Sequence, residues 1–406
     1  MCAQPKWPIR SVRLVLCTAA DGLVGALPRY DVDDPGWRET EAVVNGCVSR
    51  YGFKPVVLRI LSSPRHVPPF GGRVEYLAEV EIIPRVTMEA WEGSDPLVDE
   101  ALRLPYARPG GPQKDLEWAR RILDGTGIRL TAPPAQVRTW NLSSIWRLAT
   151  DAGRVWLKST PPFCAHEGAI MSCLSPEVVP QVLGFESGRV LLSDVAGVDQ
   201  YEASDDALLE MIDKLVGLQI EWIHRTDELV SLGARDWRPG VFLPAVRRVY
   251  DLYADRLDAG ERRAVDRLLA NFESRFAQLA ACGVVDTLVH GDFHSGNVRG
   301  MPGAFRLLDW GDCAVGHPLI DELAFFERRD GAQAAVLHAA WLDRWRRHAS
   351  DSDPEQAAML LRPLTPLKGA VVYQDFLDGI EPDERRYHED DPLASLRSAA
   401  KTAAPF

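Results

Sequence analysis

The spacing of apolar residues changes partway along this chain, and the change divides it. The first part reads as strands around one helix. Val12 to Cys17 is a short, mostly apolar run, Asp21-Gly22 is a turn signal, and Leu23 to Leu27 can return as a partner strand. Ala42, Val43, Cys47 and Val48 fall on one face of a helix over 38–51, which Gly52 can end. Pro55 to Leu61 and Val74 to Ile83 predict two more strands. Leu104-Pro105-Tyr106-Ala107-Arg108-Pro109-Gly110-Gly111-Pro112 is dense in turn formers and predicts a linker. After it, Asp115 to Asp124 predicts a helix. Val137 to Leu148 and Arg154 to Lys158 predict two strands joined at Asp151-Ala152-Gly153. Pro162 to Leu174 contains a helix, and Val190 to Ser193 is a short strand. From Asp205 onward helical spacing dominates, with Leu208, Met211, Ile212, Leu215, Leu218 and Trp222 on one stripe.

This order predicts an α+β protein. A small α+β domain over 1–104 comes first, then a linker and helix over 105–130, a strand-rich lobe over 131–196 and a helix-rich lobe over 197–406. The sequence shows no internal repeat. In the first domain the order is strand, strand, helix, strand, strand, and Tyr51-Gly52-Phe53 closes the helix. That arrangement faintly resembles a Nudix hydrolase domain. A Nudix helix carries an Arg-Glu pair and then two consecutive glutamates that bind metal. Aligned on Gly52, those places hold Asn45-Gly46 and Ser49-Arg50, so every metal-binding acid is missing. A small accessory or docking domain is the simpler reading.

Composition narrows the class. The chain has 406 residues, 46% hydrophobic and 26% charged, as in an ordinary soluble protein. No apolar run approaches the length of a membrane span. Met1 to Arg13 has basic residues but no continuous apolar core, so no signal peptide is expected. Seven scattered cysteines without paired spacing suit free thiols in a reducing cytoplasm, and a cytoplasmic location is expected. A net charge of −12 argues against a nucleic-acid partner and is compatible with a cationic substrate. The oligomeric state leaves no mark on the sequence.

The chemistry is concentrated in His290-Gly291-Asp292-Phe293-His294-Ser295-Gly296-Asn297 and in Leu307-Leu308-Asp309-Trp310-Gly311-Asp312. Asp292 follows a mostly apolar strand, Gly283 to Val289. Alone it would pass for a turn residue. Asp292 and Asn297 lie close enough along the chain to point into one site from a single loop. Leu307-Leu308 reads as a buried strand that delivers Asp309 to the same place. Phosphoryl transfer from a nucleotide needs this set: a carboxylate to orient a hydroxyl and receive its proton, and an amide plus a carboxylate to hold Mg²⁺ on the phosphates.

The segment from His290 to Phe326 resembles the aminoglycoside phosphotransferase and choline-kinase-like family, relatives of protein kinases. The family pattern is His-Gly-Asp-x-His-x-x-Asn, then Ile/Leu-Asp-Trp, then Gly-x-Pro-x-x-Asp-Leu-Ala. Here it runs through His290 to Asn297, Leu308-Asp309-Trp310, and Gly316-His317-Pro318-Leu319-Ile320-Asp321 with Glu322-Leu323-Ala324, one residue longer at the end. The resemblance covers roughly Thr131 to the C-terminus. It implies a two-lobed protein-kinase-like fold with Asp292 as base and Asn297 and Asp309 as Mg²⁺ ligands. It also implies that Asp321 props the catalytic loop and that His290 and His294 are structural, with Gly291 relieving crowding. Lys158, on a strand after a hairpin, would meet the α- and β-phosphates of ATP, paired with Glu167 on the next helix. Ser143 and Ser144, in the glycine-free stretch Thr139 to Ser144, would cover the phosphates. Ser193, Asp194 and Val195 would bond the nucleobase through their backbone. Asp312 is expected to be a surface or outer-shell acid.

The acceptor pocket has no clear signature. Candidate acids are Glu327, Asp375, Asp378, Glu381, Asp383 and Glu384, each more simply read as a solvated charge. Trp237, Tyr373 and Phe376 are candidate aromatic walls. The leading expectation is therefore a kinase moving the ATP γ-phosphoryl group to a hydroxyl of an aminoglycoside, a natural product or a metabolite. A kinase for choline, homoserine or a related amino alcohol is the second reading. A nucleotide-binding pseudokinase is the third.

Overall fold

From Leu14 to Cys17 both sides of β1 (Arg10–Thr18) are apolar and buried, and the structure places the strand inside a sheet. This is a computed structural model, and it describes residues 8–64, 70–326, 329 and 331–403. The chain forms two units. Unit 1 is Met1–Pro162, Leu183–Asp194 and Gly379–Tyr387; unit 2 is Phe163–Val182, Val195–Asp378 and His388–Phe406.

Unit 1 opens with β1, β2 (Gly22–Ala26), β3 (Tyr30–Val32), α1 (Glu41–Tyr51), β4 (Val56–Ser62) and β5 (Gly72–Glu79). The sheet order is β2-β1-β5-β4, with β3 also pairing β1. Side chains alternate across a strand, so each face gathers its own core. Val12, Leu14 and Leu16 join Tyr76, Val57 and, from α1, Val43 and Cys47. Val15 and Cys17 join Leu58 and Leu77 on the other face. Gly46 in α1 is needed for close approach, because a Cβ there would stand 2.8 Å from the Tyr30 ring. Gly52 ends the helix in the left-handed conformation at φ 77°.

Next come α2 (Gly111–Thr126), β6 (Ala135–Trp140), β7 (Ser143–Thr150), β8 (Gly153–Ser159), β9 (Val182–Glu186) and β10 (Arg189–Ser193). They form a second sheet, ordered β6-β7-β8-β10-β9. The stretch Val137 to Leu148, expected as one strand, is instead a hairpin that turns at Asn141-Leu142. β3 and β9 were not anticipated; each is short and carries too few residues for its periodicity to register. The exposed edge of β6 is covered. Thr40 N–H donates to Val137 O at 2.9 Å, and Thr139 N–H donates to Arg38 O at 3.1 Å. Buried Gln136 copies a backbone pair, donating to Val57 O at 2.7 Å and accepting from Val57 N–H at 2.8 Å. An edge strand presents unpaired backbone groups, and here the first sheet's segments satisfy them.

The segment Gly379–Tyr387 also belongs to unit 1. It corrects the reading of Glu381 and Glu384 as solvated charges, whereas Asp383 is exposed as expected. Glu381 is buried and accepts from Arg103 at 3.0 Å, with Arg59 at 3.6 Å. Glu384 is buried beside it.

Unit 2 holds α3 (Glu167–Cys173), β11 (Val198–Asp199), α4 (Asp205–Glu221), α5 (Thr226–Ser231), β12 (Arg235–Asp236), α6 (Pro239–Tyr253), α7 (Ala259–Ala270), α8 (Phe272–Ala281), β13 (Thr287–Val289), β14 (Val298–Gly300), β15 (Arg306–Leu307), β16 (Ala314–Gly316), α9 (Ile320–Phe326), α10 (Gly331–His348), α11 (Pro354–Leu361), α12 (Leu364–Gly379) and α13 (Asp391–Thr402). Two small sheets, β11-β14-β15 and β12-β16-β13, sit among these helices. The expected strand Gly283 to Val289 is shorter than its apolar run. Gly283 takes a positive φ of 75° just beyond α8, and only Thr287–Val289 is strand. α4 starts where its sequence dictates: the Ser204 side chain accepts from Ala207 N–H, and Asp205 and Asp206 occupy the first turn. Among the described residues no helix is long and apolar enough to cross a membrane.

Burial and the neighbouring Glu381 push the Glu384 carboxyl up to about 8, against the pull of Arg59 and Arg103. Its ordinary value is 4.5, so the folded state holds an extra proton between these two values. The stability this group contributes is complete below the lower value and is lost as pH rises through the upper one. Glu384→Gln cannot ionise. From about pH 5 to about pH 8.5 the parent should therefore lose at least about 2 °C more in Tm than Glu384→Gln. Parallel pH profiles of Tm for the two proteins would contradict this.

Candidate active site

One carboxylate organises the loop from His290 to Asn297. Asp321, in the first turn of α9, accepts the His290 N–H and the Gly291 N–H, each at 2.8 Å, one on each oxygen. Gln219 Nε2 from α4 adds a third bond at 3.1 Å. Burial pushes the Asp321 carboxyl up to about 6, against the pull of the His290 and Gly291 N–H groups and of Lys368. Gly291 sits at φ 90°, and a Cβ there would lie 2.1 Å from Asp312 O, so only glycine fits. The residue that lengthens the end of the motif, Glu322, is buried in α9 and pairs with His338 of α10.

The two halves of the motif are tied together by His290. Its Nε2 bonds Leu308 O at 2.9 Å, next to Asp309, and its Nδ1 accepts from Asp292 N–H at 3.4 Å. Burial pushes this imidazole down to about 4, which keeps it neutral near pH 7. Its ring lies 4.5 Å from that of Trp310. Asn297 Nδ2 donates to Asp292 O at 2.9 Å and to Asp292 Oδ2 at 3.1 Å. His294 Nε2 lies 3.6 Å from the same Oδ2, while its Nδ1 accepts from Gly296 N–H.

Asp309 follows β15 at φ 64°, the one non-glycine residue with a positive φ among the described residues. A left-handed residue of this kind costs about 1–2 kcal/mol, and such strain collects at working sites. The next residue is fixed on both sides: Trp310 N–H donates to Glu167 Oε1 at 3.2 Å, and Trp310 Nε1 donates to Leu307 O at 3.2 Å. Asp292, Asn297, Asp309, Asp321, His290 and Glu167 therefore stand in one connected set within unit 2.

Three residues of this neighbourhood escaped the sequence reading. Lys368 of α12 donates to Gly291 O. Arg235 of β12 pairs with Asp375. Gln219 interrupts the apolar stripe of α4, and a polar residue at a core position was the available signal. Lys368 and Arg235 carried none, because only the tertiary fold brings them to the loop. Asp312 is no surface acid: burial pushes its carboxyl up, countered by Arg235 and Lys368, and its Oδ1 is buried with no hydrogen-bond partner among the described residues.

The candidates of the strand-rich region lie mostly in unit 1. Lys158 is on β8, paired with Ile145 of β7 and Val190 of β10. Ser143 and Ser144 are buried and already engaged. Ser143 Oγ accepts from Trp140 Nε1 at 3.2 Å, and Ser144 Oγ shares a bond with Thr139 Oγ1 at 3.2 Å. Ser193 ends β10, and the Asp194 N–H donates to Arg154 O at 3.1 Å. Val195 begins a stretch of unit 2, where its carbonyl accepts from Arg299 Nε at 3.0 Å. The Asp194 N–H is thus taken up by Arg154 O, whereas the Ser143 and Ser144 hydroxyls and the Val195 C=O each make one hydrogen bond and keep capacity for another. Asp378 pairs with Arg248, Trp237 packs edge-on to Phe242 at 5.2 Å, and Phe376 packs against Phe163 at 5.0 Å. Glu327 lies outside the described residues.

The donor set suits Mg²⁺. With its Nδ2 tied to Asp292, Asn297 offers its oxygen, and Asp309 offers a carboxylate. Both are hard ligands, and Mg²⁺ is commonly held by one or two protein oxygens together with substrate phosphates. Among the described residues, no group of three or more His, Cys, Asp or Glu side chains is arranged as an all-protein metal cage.

A search of curated proteins found no match. Among solved structures, the GDP complex of aminoglycoside 2'-phosphotransferase-IIIa is similar over 72% of this chain and 99% of its own, at 15% identity and a TM-score of 0.50. Choline kinase LicA from Streptococcus pneumoniae is similar over 72% of this chain and 100% of its own, at 12% identity and a TM-score of 0.48. Macrolide 2'-phosphotransferase MphH from Brachybacterium faecium is similar over 71% and 99%, at 15% identity and a TM-score of 0.45. The α+β fold is protein-kinase-like. The model of the phosphotransferase enzyme family matches residues 138–360, more than half of the chain and all of the loop just described. This chain belongs to the phosphotransferase enzyme family.

Proposed function

We propose that this phosphotransferase moves the γ-phosphoryl group of ATP onto a hydroxyl of a small molecule: an aminoglycoside-like antibiotic, another natural product or an amino-alcohol metabolite. The observation that carries the reading is the linked set of Asp321, His290, Asp292, Asn297 and Asp309 in unit 2. Asp292 is half-exposed, so a hydroxyl can reach it. It orients that hydroxyl and takes its proton as the oxygen bonds to phosphorus and the bond to the departing ADP breaks. Asn297 fixes the orientation of the Asp292 carboxylate. Asn297 and Asp309 would hold Mg²⁺, which supplies charge neutralisation on the phosphates when bound. Lys158 would meet the phosphates, and Glu167 supports the segment that carries Asp309. Most of the work is alignment, which suits a loop so heavily braced.

The acceptor follows from a screen of hydroxylated amines and antibiotics by thermal shift with an ATP analogue present, since ligands that bind the native state raise its stability. GTP is run beside ATP, because the similar aminoglycoside enzyme is described with GDP. With an accepted substrate, Asp292→Asn should lower kcat by about 10²- to 10⁴-fold, the usual worth of a general base, with little change in nucleotide KM. Turnover at the parent rate would remove Asp292 from the mechanism. Asp309→Asn should raise the Mg²⁺ concentration for half-maximal rate by at least about tenfold, the smallest loss typical even of groups one shell away from a metal. An unchanged Mg²⁺ titration would contradict that role.

A further inference from the structure

The turn between β6 and β7 has no glycine, although the family resemblance implies that it covers the nucleotide phosphates. Its shape comes from elsewhere in unit 1. Tyr106 OH donates to Trp140 O at 3.0 Å. The Trp140 ring lies under the Arg38 guanidinium at 4.8 Å and edge-on to Trp37 at 6.1 Å. Trp37 is itself fixed, its carbonyl accepting from Tyr76 OH at 2.6 Å and its ring lying 5.3 Å from Tyr387. Trp140 and Leu142 thereby join the core of the first sheet.

Asn141 adds a second tie. It is 4% exposed, and its Oδ1 is buried with no hydrogen-bond partner among the described residues. Arg59 is also 4% exposed, and its Nε is buried and likewise without a hydrogen-bond partner. Both residues line one small cavity of about 10 Å³, together with Trp140, Leu104, Glu381 and Glu384. That is the room one water needs, and the lining supplies a donor in Arg59 and acceptors in Asn141 and the Glu381 carboxylate. A bridging water would satisfy both orphaned atoms, whose desolvation is otherwise uncompensated.

We propose that Trp37, Arg38, Arg59 and Tyr106 act as a clamp on the nucleotide-covering turn, with Tyr106 in the clamp and Asn141 in the turn as positioning residues and a buried water joining Asn141 to Arg59. The clamp supplies the fixed conformation that a glycine-rich turn reaches by flexibility. Arg38, Arg59 and Tyr106 lie before the family match begins at residue 138, so nucleotide affinity depends on a segment outside it. This inference rests on the ATP reading of the preceding subsection.

Tyr106→Phe and Asn141→Leu keep shape and remove one polar tie each. Binding of the Mg²⁺ complex of a non-hydrolysable ATP analogue is measured by calorimetry, with amide exchange at 140–143 and acceptor KM alongside. Each variant should bind the nucleotide about 5- to 10-fold more weakly, the usual worth of one hydrogen bond, and exchange faster at the turn. Acceptor KM should not move, and Tm should stay within a few degrees of the parent. Parent-like nucleotide affinity in the folded variants overturns the clamp while leaving the kinase reading intact. Equal losses for nucleotide and acceptor overturn it too, as general loosening. A parent that binds no nucleotide overturns the kinase reading itself and the clamp with it.

Discussion

The carboxylate of Asp321, holding two consecutive backbone N–H groups, is the constraint on which the rest of the site depends. A loop that must aim Asp292 and Asn297 has no regular secondary structure to satisfy its amides, and an unsatisfied buried N–H costs about 1–3 kcal/mol. Asp321 meets two of them at once, at 2.8 Å each. It is buried to do so, which pushes its carboxyl up, and those two N–H groups and Lys368 offset part of that burial. The crowding this creates leaves room only for glycine at 291. His290 then carries the order across to Leu308, the residue before the strained Asp309.

Unit 1 follows the same logic with different groups. Buried charge is tolerated there because it is paired: Glu381 answers Arg59 and Arg103. Losing one partner of such a pair typically costs about 3–5 kcal/mol, so the segment Gly379–Tyr387 and the first sheet stabilise each other. Gln136 and Thr40 close the edge of β6. The first hundred residues, expected as a separate accessory domain, share unit 1 with the β6–β10 sheet.

Much of this was legible in the sequence, for identifiable reasons. The strand-rich then helix-rich order follows from apolar spacing, and β1, β2, β4, α1 and α4 fall where that spacing predicts. Asp292, Asn297 and Asp309 were found because their chemistry is local, within one loop and one hairpin. Asp321 needed the family pattern, since nothing in a lone Asp reveals that it faces a loop 30 residues earlier. Lys368, Arg235 and the Glu381 cluster were out of reach, because a charged side chain reads as solvated until a fold buries it. The burial of Ser143 and Ser144, and their bonds to Trp140 and Thr139, were out of reach for the same reason.

The most direct test of this account is the rate of Asp321→Ala, a change that leaves Asp292, Asn297 and Asp309 in place. Mg-ATP hydrolysis to water, followed by ADP release, gives a readout that needs no acceptor. Misplacing reacting groups by about 1 Å costs about 10²-fold, so kcat should fall at least that far while the protein remains folded and binds an ATP analogue. A folded Asp321→Ala enzyme turning over at the parent rate would contradict the claim that this carboxylate sets the geometry of the site.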